Sequence, residues 1–215
     1  MNAESTLRER IVEIGRNLYS RGLSPGSSGN ISARLEDGWL LTPTNSCLGE
    51  LDPASLSRLD WNGNLLSGAK PSKEYFLHLA MYQKRRQSGA IVHLHSSYAA
   101  AISCLEGLNP ESCIPAITPY FVMRVGQLPL IPYFRPGDKA LADQIAKYAE
   151  RHAAVLLANH GPVVSGHDLD SAMYAIEELE ETSKIMLLLH GQRIRTLNQT
   201  QIQELKETFG AQWES

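Results

Sequence analysis

Residues 153–161, AAVLLANHG, begin with an uninterrupted apolar run of strand length and end in a turn. A strand with one face in water alternates apolar and polar residues, whereas an unbroken apolar run is typical of a strand buried on both faces. Both faces of a sheet are buried when other elements cover each of them. This segment therefore predicts a sheet with helices on both sides, which is an α/β layered architecture.

Helical and strand-like segments alternate along the rest of the chain. Apolar residues recur at helical spacing in residues 6–22, 71–87, 138–152 and 168–189. Thr6 and Glu9 have the spacing of a capping box, and Pro71 is expected to be the first residue of its helix. Asn62-Gly63 predicts a hairpin with a two-residue loop. Further strands are expected at residues 31–34, 38–42, 90–95 and 128–132.

The length and charge of the chain limit what it binds. Its 215 residues are enough for one well-packed domain, and we expect a single domain over residues 1–215. A net charge of −3 gives no electrostatic reason to expect nucleic acid or an anionic membrane as a partner. Three cysteines without a CxxC pair, and a charged, helical N-terminus unlike a signal peptide, predict a cytoplasmic protein.

His93 and His95 are two residues apart in an expected strand, so both imidazoles point to the same face. Two imidazoles on one face can share a metal ion, and imidazole suits zinc, iron, manganese or cobalt. The alternative is a pair of hydrogen-bonded histidines on a half-buried strand.

His160 is a third candidate ligand, because it ends the apolar run and precedes a Gly161-Pro162 turn. Ligands gather at strand ends in α/β folds, and a rigid turn fixes the direction of the side chain there. The alternative is a polar residue that opens a turn. The other four histidines are expected on the surface: His78, His152, His167 and His190. Four glutamates are expected on the polar side of the last long helix: Glu177, Glu178, Glu180 and Glu181.

Glu74 is the main candidate for a general acid or base. It falls in the first turn of an expected helix, where the helix dipole favours a carboxylate. The same position is also typical of a glutamate that only caps the helix, and spacing does not distinguish the two roles.

Three polar segments have exposed backbone N–H groups and hydroxyls suited to an anion such as phosphate. They comprise residues 27–30 (SSGN), residues 42–46 (TPTNS), and Ser72-Lys73 at the start of a helix. Each segment could also be an ordinary turn. All three precede the histidines and share the same chemistry, which favours a common anion site.

Taken together, these motifs resemble the class II aldolase/adducin family. The similarity spans nearly the whole chain and is carried by GNIS (residues 29–32), TPT (42–44), PSKE (71–74), VHLHS (92–96), NHGPVV (159–164) and EELEET (177–182). The resemblance implies an α/β/α sandwich around a largely antiparallel sheet. It also implies a homotetramer with its active sites at subunit interfaces.

The resemblance assigns roles to individual residues. It implies one divalent metal ion per subunit, most commonly Zn²⁺, held by His93, His95 and His160, with Glu74 as acid/base and as a ligand of the resting metal. It implies phosphate contacts from Gly29, Asn30, Thr44, Asn45, Ser72 and Lys73. Two positions depart from the family pattern: Asn45 stands where many members have Gly, and Lys73 where sugar-phosphate aldolases have a second Ser. Asn tolerates a left-handed backbone, and Lys supplies a positive charge.

Further segments look like one group within that family, the 3-oxo-tetronate 4-phosphate decarboxylases. These segments include SCLGELDP (residues 46–53), TPYFVMRVG (118–126) and PYFRPGDK (132–139). The implied reaction releases carbon dioxide and dihydroxyacetone phosphate through an enediolate. A sugar-phosphate aldolase or 4-epimerase shares that intermediate and is the nearest alternative. A non-catalytic adducin-like interaction module and an imidazole-metal hydrolase are more distant ones.

Overall fold

Short apolar and β-branched segments pair into a mixed sheet in the computed structural model, which describes residues 3–214. Within those residues the sheet has eight strands: β1 (Asn30–Leu35), β2 (Gly38–Leu41), β3 (Ser57–Leu59), β4 (Leu65–Ser67), β5 (Ala90–His93), β6 (Leu130–Ile131), β7 (Ala154–Leu157) and β8 (Gly161–Gly166). Their spatial order is β4-β3-β2-β1-β5-β8-β7-β6. The β6–β7 pair is parallel and the other neighbouring pairs are antiparallel.

Helices cover both faces of this sheet, as the sequence predicts. One core joins α1, α3, α4 and α6 to the sheet, and a second core joins α2 and α5 to the opposite face. Within residues 3–214, no helix is both long enough and apolar enough to cross a bilayer. The helices are α1 (Ala3–Ser20), α2 (Tyr75–Lys84), α3 (Ser97–Ser103), α4 (Pro119–Arg124), α5 (Ala140–Ala149), α6 (Leu169–Leu188) and α7 (Gln199–Phe209).

Successive side chains of β7 point to opposite faces of the sheet, and both faces are buried, which explains its uninterrupted apolar sequence. Ala154 and Leu156 belong to the first core, whereas Val155 and Leu157 belong to the second. Burial of a Val or Leu side chain contributes roughly 1.5–3 kcal/mol, so both faces of the strand stabilise the sandwich. The three-layer α/β/α fold is thereby confirmed.

The helix expected from Pro71 begins later, at Tyr75. Residues 70–72 instead extend alongside the end of β2, where Pro71 forms an isolated bridge with Pro43. The N–H of Thr44 donates to the carbonyl of Lys70 at 2.9 Å, which holds the two segments together. This long-range pairing outweighs the preference of Pro for the first helical turn, so the prediction for this helix start was wrong.

The turn expected at Gly161-Pro162 is instead the start of β8, a strand that sequence periodicity missed. The turn precedes it, and the N–H of His160 donates to the carbonyl of Leu157 at 3.1 Å. Gly161 is required by close packing, since a Cβ there would lie 2.3 Å from the carbonyl oxygen of Leu94. β8 thus connects β7 to β5 and brings His160 beside the end of β5.

Other boundaries differ from the sequence prediction because of local hydrogen bonds. Asn62-Gly63 does lie in a hairpin, but the loop spans residues 60–64 because the Asp60 carboxylate accepts from the N–H groups of Asn62 and Asn64. Thr6 lies inside α1 and not at its N-cap. The sequence prediction also omitted α3, α4 and α7.

Candidate metal centre

Four side chains from separate parts of the chain converge where the central strand β5 ends and its neighbour β8 begins. His93 ends β5, His95 follows two residues later, His160 lies in the β7–β8 turn, and Glu74 immediately precedes α2. One ligand atom from each of these side chains lies within 4.8 Å of all the others. The antiparallel pairing of β5 with β8 brings the three imidazoles together.

His93 is held in one orientation by the backbone of β8. Its ring is fully buried, and Nδ1 donates to the carbonyl oxygen of Pro162 at 2.8 Å. Because a carbonyl oxygen accepts and cannot donate, Nδ1 carries a proton, so in the neutral ring the lone pair of Nε2 faces the other ligands. This is the arrangement that commonly orients a metal-binding histidine.

The distances among the four groups fit a divalent metal. Nε2 of His95 lies 3.1 Å from Nε2 of His93 and 2.9 Å from Nε2 of His160. The carboxylate of Glu74 lies 3.4 Å from His93 and 3.3 Å from His160. Ligands about 2.0–2.1 Å from a tetrahedral zinc ion are separated by about 3.3 Å, so the four donors approximate its coordination shell.

Burial and neighbouring charges shift the pKa values of three of these groups. Burial opposes the charge on His93, yet attraction to Glu74 raises its pKa. Burial, followed by repulsion from His93 and His160, lowers the pKa of His95 to about 4, so its ring is neutral at pH 7. Burial favours the neutral form of Glu74, yet attraction to His93 and hydrogen bonds with His160 and His93 hold its pKa well below the usual range. The site therefore presents an ionised carboxylate and a neutral imidazole, the forms that bind metal.

Glu74 occupies the N-cap position of α2 and not the first helical turn. Its carboxylate faces His93 and His160, and Oε2 also accepts from Nδ2 of Asn30 at 3.0 Å. These contacts distinguish it from a glutamate that only caps a helix.

A pocket of about 230 Å³ adjoins Glu74 and His95. The three polar segments singled out in the sequence meet around it, as expected for a common anion site. Asn45 has a φ of 57°, in the left-handed region that Asn tolerates better than most residues. The pocket is lined by Ser27, Ser28, Gly29, Asn30, Pro43, Thr44, Asn45, Ser72, Lys73, Glu74, His95, Pro136 and Gly137.

A family model described as the Class II Aldolase and Adducin N-terminal domain matches residues 9–187. The chain belongs to the class II aldolase/adducin family. The expectation drawn from the sequence motifs is thereby confirmed.

Relatives within the class II aldolase/adducin family are similar over almost their whole length. The 3-oxo-tetronate 4-phosphate decarboxylase of Escherichia coli K12 is 50% identical over 204 residues, covering 94% of this chain and 96% of the relative. The L-fuculose phosphate aldolase of Haemophilus influenzae is 33% identical over 207 residues, covering 94% and 93%.

Solved structures of family members superpose closely on this chain. YgbL of Klebsiella pneumoniae, described as an aldolase, epimerase or decarboxylase, has a TM-score of 0.93 and 48% identity, covering 95% of this chain and 100% of that chain. An L-fuculose 1-phosphate aldolase has a TM-score of 0.88 and 29% identity, and the match covers 97% of this chain and 100% of that chain.

Two of the four histidines that were expected on the surface are buried. His78 is fully buried and His152 is almost so, whereas His167 and His190 are exposed as expected. Pro136 and Gly137 also line the pocket, and the sequence analysis did not include them among the site residues. A Pro-Gly pair predicts a turn, but it does not indicate which part of the fold the turn contacts.

Glu180 was expected on the polar side of the last long helix and is instead buried. Its carboxylate accepts from the hydroxyl of Ser96 and from the N–H groups of Tyr98 and Ala99 at 2.7–2.9 Å. It therefore caps α3, which begins two residues after His95, and the sequence prediction for Glu180 was wrong.

A larger pocket of about 380 Å³ lies at the opposite edge of the sheet, beside the end of β8. Its lining includes Arg85, Arg124 and His167 and none of the four candidate metal ligands. The converging imidazoles therefore identify the smaller pocket as the candidate active site.

Proposed function

We propose that this chain is a metal-dependent carboxy-lyase that converts a 3-oxo-tetronate 4-phosphate to dihydroxyacetone phosphate and carbon dioxide. The observation that carries the proposal is the convergence of three imidazoles and Glu74 beside a pocket lined by the three polar segments. The choice of substrate is supported by relatives of that name at 50% identity.

His93, His95 and His160 would hold one divalent metal ion, and Glu74 is close enough to complete its ligands at rest. A metal in this site would supply positive charge that stabilises the oxygen anion left when the carbon–carbon bond breaks. Loss of carbon dioxide from C1 leaves its electron pair on C2, conjugated with the C3 carbonyl as an enediolate. Glu74, whose carboxylate is ionised at rest, would take up a proton from solvent in the pocket and relay it to C2, which gives the product.

Ser72 is well arranged to donate to the phosphate. Its Oγ accepts from Nδ2 of Asn30 at 3.2 Å and from the N–H of Glu74 at 3.3 Å. Both acceptor positions are therefore used, and the hydroxyl hydrogen remains to donate into the pocket. The exposed side chain of Lys73 follows directly and adds a positive charge.

The finer features of the proposal follow from the donor set and the family resemblance. Three imidazoles with a carboxylate favour Zn²⁺ as the metal. We also propose one domain over residues 1–215, a cytoplasmic location, and a homotetramer with its sites at subunit interfaces. Tyr133, which is 63% exposed next to the pocket-lining Pro136-Gly137 turn, is available for such an interface. Light scattering of the purified protein tests the tetramer.

A panel of phosphorylated oxo-acids and sugars, assayed together for carbon dioxide and triose phosphate, tests the reaction. We expect equal amounts of both products from the oxo-acid. Triose phosphate and an aldehyde from a sugar phosphate, without carbon dioxide, would favour the aldolase alternative, which the 33% identical L-fuculose phosphate aldolase supports. No turnover by metal-loaded protein on any member of the panel would favour the adducin-like interaction module, which has no need for the four metal-binding residues.

A further inference from the structure

A chain of four hydrogen bonds runs from the core between β1 and α2 to the carboxylate of Glu74. Tyr82 and Ser32 are joined at 2.9 Å, and Ser32 Oγ lies 2.7 Å from Nδ1 of His78. Nε2 of His78 lies 2.5 Å from Oδ1 of Asn30, whose Nδ2 reaches Glu74 at 3.0 Å. The first four residues are buried and the chain ends at the candidate active site.

The chemistry of each group determines the direction of these hydrogen bonds. The Glu74 carboxylate accepts, so the Asn30 amide must present its nitrogen to Glu74 and its oxygen to His78. An amide oxygen also accepts, so Nε2 of His78 carries the ring proton. The neutral ring then leaves Nδ1 bare, and Ser32 must donate to it.

The surroundings of Ser32 and His78 are consistent with a neutral His78 ring that accepts a hydrogen bond from Ser32. Having used its proton on His78, Ser32 accepts from the hydroxyl of Tyr82. The His78 ring stacks on Trp39, with ring centroids 6.2 Å apart. Burial, reinforced by His93 and opposed by Glu74, lowers the pKa of His78 to about 3, so the ring is neutral at pH 7.

Asn30 distributes both of its amide hydrogens within the candidate site. One goes to Oε2 of Glu74 and the other to Oγ of Ser72 at 3.2 Å. If the amide rotated by half a turn, its oxygen would face the carboxylate and both donors would be lost. The His78 proton adds to the resistance from Glu74 and Ser72, since a flipped amide would also present N–H to N–H.

We propose that His78 is a positioning residue, whose Nε2–H donates to Oδ1 of Asn30 and, together with Glu74, holds the Asn30 amide toward Glu74 and Ser72. The proposal deepens the proposed function, because it acts on the residues assigned to proton transfer and phosphate binding. Groups that orient a metal-site residue from outside typically affect activity by about 10–100-fold.

The tautomer is measurable without substrate. In the full-length, zinc-loaded protein labelled with ¹⁵N-histidine, the His78 signals can be assigned by their loss in His78→Gln. We expect a protonated Nε2 and a bare Nδ1 in the wild type, and a shift of the Nδ1 signal in Ser32→Ala, which lacks the hydroxyl that donates to Nδ1. Ser183→Ala, which removes another buried hydroxyl, is the matched control and should leave the His78 signals unchanged. Protonation of Nδ1 in the wild type would overturn the proposal.

Kinetics separate positioning from a purely structural role. His78→Phe keeps the ring that stacks on Trp39 but removes both nitrogens, and we expect kcat to fall by about 10–100-fold. His78→Gln retains an N–H donor and should recover at least several-fold of that loss. A folded, metal-loaded His78→Phe with wild-type kcat would contradict the proposal. The rate is measured on whichever substrate the wild type converts, so failure of the decarboxylase assignment remains distinguishable.

Discussion

Nε2 of His95 lies 2.9 Å from Nε2 of His160, although one follows β5 and the other lies in the turn between β7 and β8. This short separation brings two potential metal ligands to one position, which His93 and Glu74 flank. A divalent cation held there would accept the nitrogen lone pairs of both rings.

We expect about one divalent metal per chain, and a large loss of it when any of the three imidazoles is removed. His93→Ala, His95→Ala and His160→Ala should each abolish activity and weaken metal retention, because each variant removes one of the three imidazoles proposed to hold the ion. Elemental analysis after dialysis measures this loss. His190→Ala, at an exposed position, is the control. Stoichiometric metal in all three site variants would contradict the assignment of the three imidazoles as metal ligands.

Glu74→Gln should fold normally and lose most turnover, since proton transfer by a positioned side chain typically contributes on the order of 10²–10⁴-fold. The measurement is kcat in protein whose metal content has been determined, so that metal loss is not mistaken for lost proton transfer. Glu106→Gln, in an exposed loop, should behave as the wild type. A near-wild-type rate in metal-loaded Glu74→Gln would contradict an acid/base role.

Lys73→Met should raise KM several-fold and leave kcat nearly unchanged if the lysine binds phosphate equally in the ground and transition states. A fall in kcat for the oxo-acid would instead indicate contact with the departing carboxylate, whose charge disappears during the reaction. Steady-state kinetics distinguish the two. Lys84→Met, at the exposed end of α2, is the matched control. Unchanged kcat and KM would exclude Lys73 from the site.

Glu180→Gln should destabilise the fold by about 1–3 kcal/mol, because a charged acceptor of three buried hydrogen bonds is replaced by a neutral amide. Urea unfolding at a fixed protein concentration measures the change. Glu181→Gln, on the exposed side of the same helix, should change stability by less than about 0.5 kcal/mol. Equal stability of the two variants would show that Glu180 does not support α3.

Acidification should destabilise the protein partly through His78. Its pKa is lowered from 6.5 to about 3 by burial, so below pH 6.5 the unfolded chain binds a proton that the folded chain does not. Stability is therefore lost as the pH falls, by about 1.6 kcal/mol between pH 6.5 and 5.0 from this residue. His78→Gln removes the titrating group and should lose correspondingly less over that interval. Parallel losses in the two proteins would contradict the shift.

The sequence alone was sufficient for features that depend on local pattern. The apolar run that forms β7 predicted a sheet buried on both faces, because alternate side chains of one strand reach both cores. The spacing of His93 and His95 predicted that their rings point the same way, although β5 ends at His93. The helix from residue 168 was also readable, since Asp168 and Ser171 form a capping box with each other.

The tertiary structure decided which distant segments meet. The start of α2 moved to Tyr75 because Pro71 pairs with Pro43, and Glu180 is buried because it caps a helix 80 residues earlier in the chain. His78 is buried because α2 packs it against β1, where Ser32 and Asn30 satisfy both ring nitrogens. Helical periodicity identifies polar residues but not their partners, because a buried polar group is stabilised by a hydrogen bond that only chain folding brings within reach.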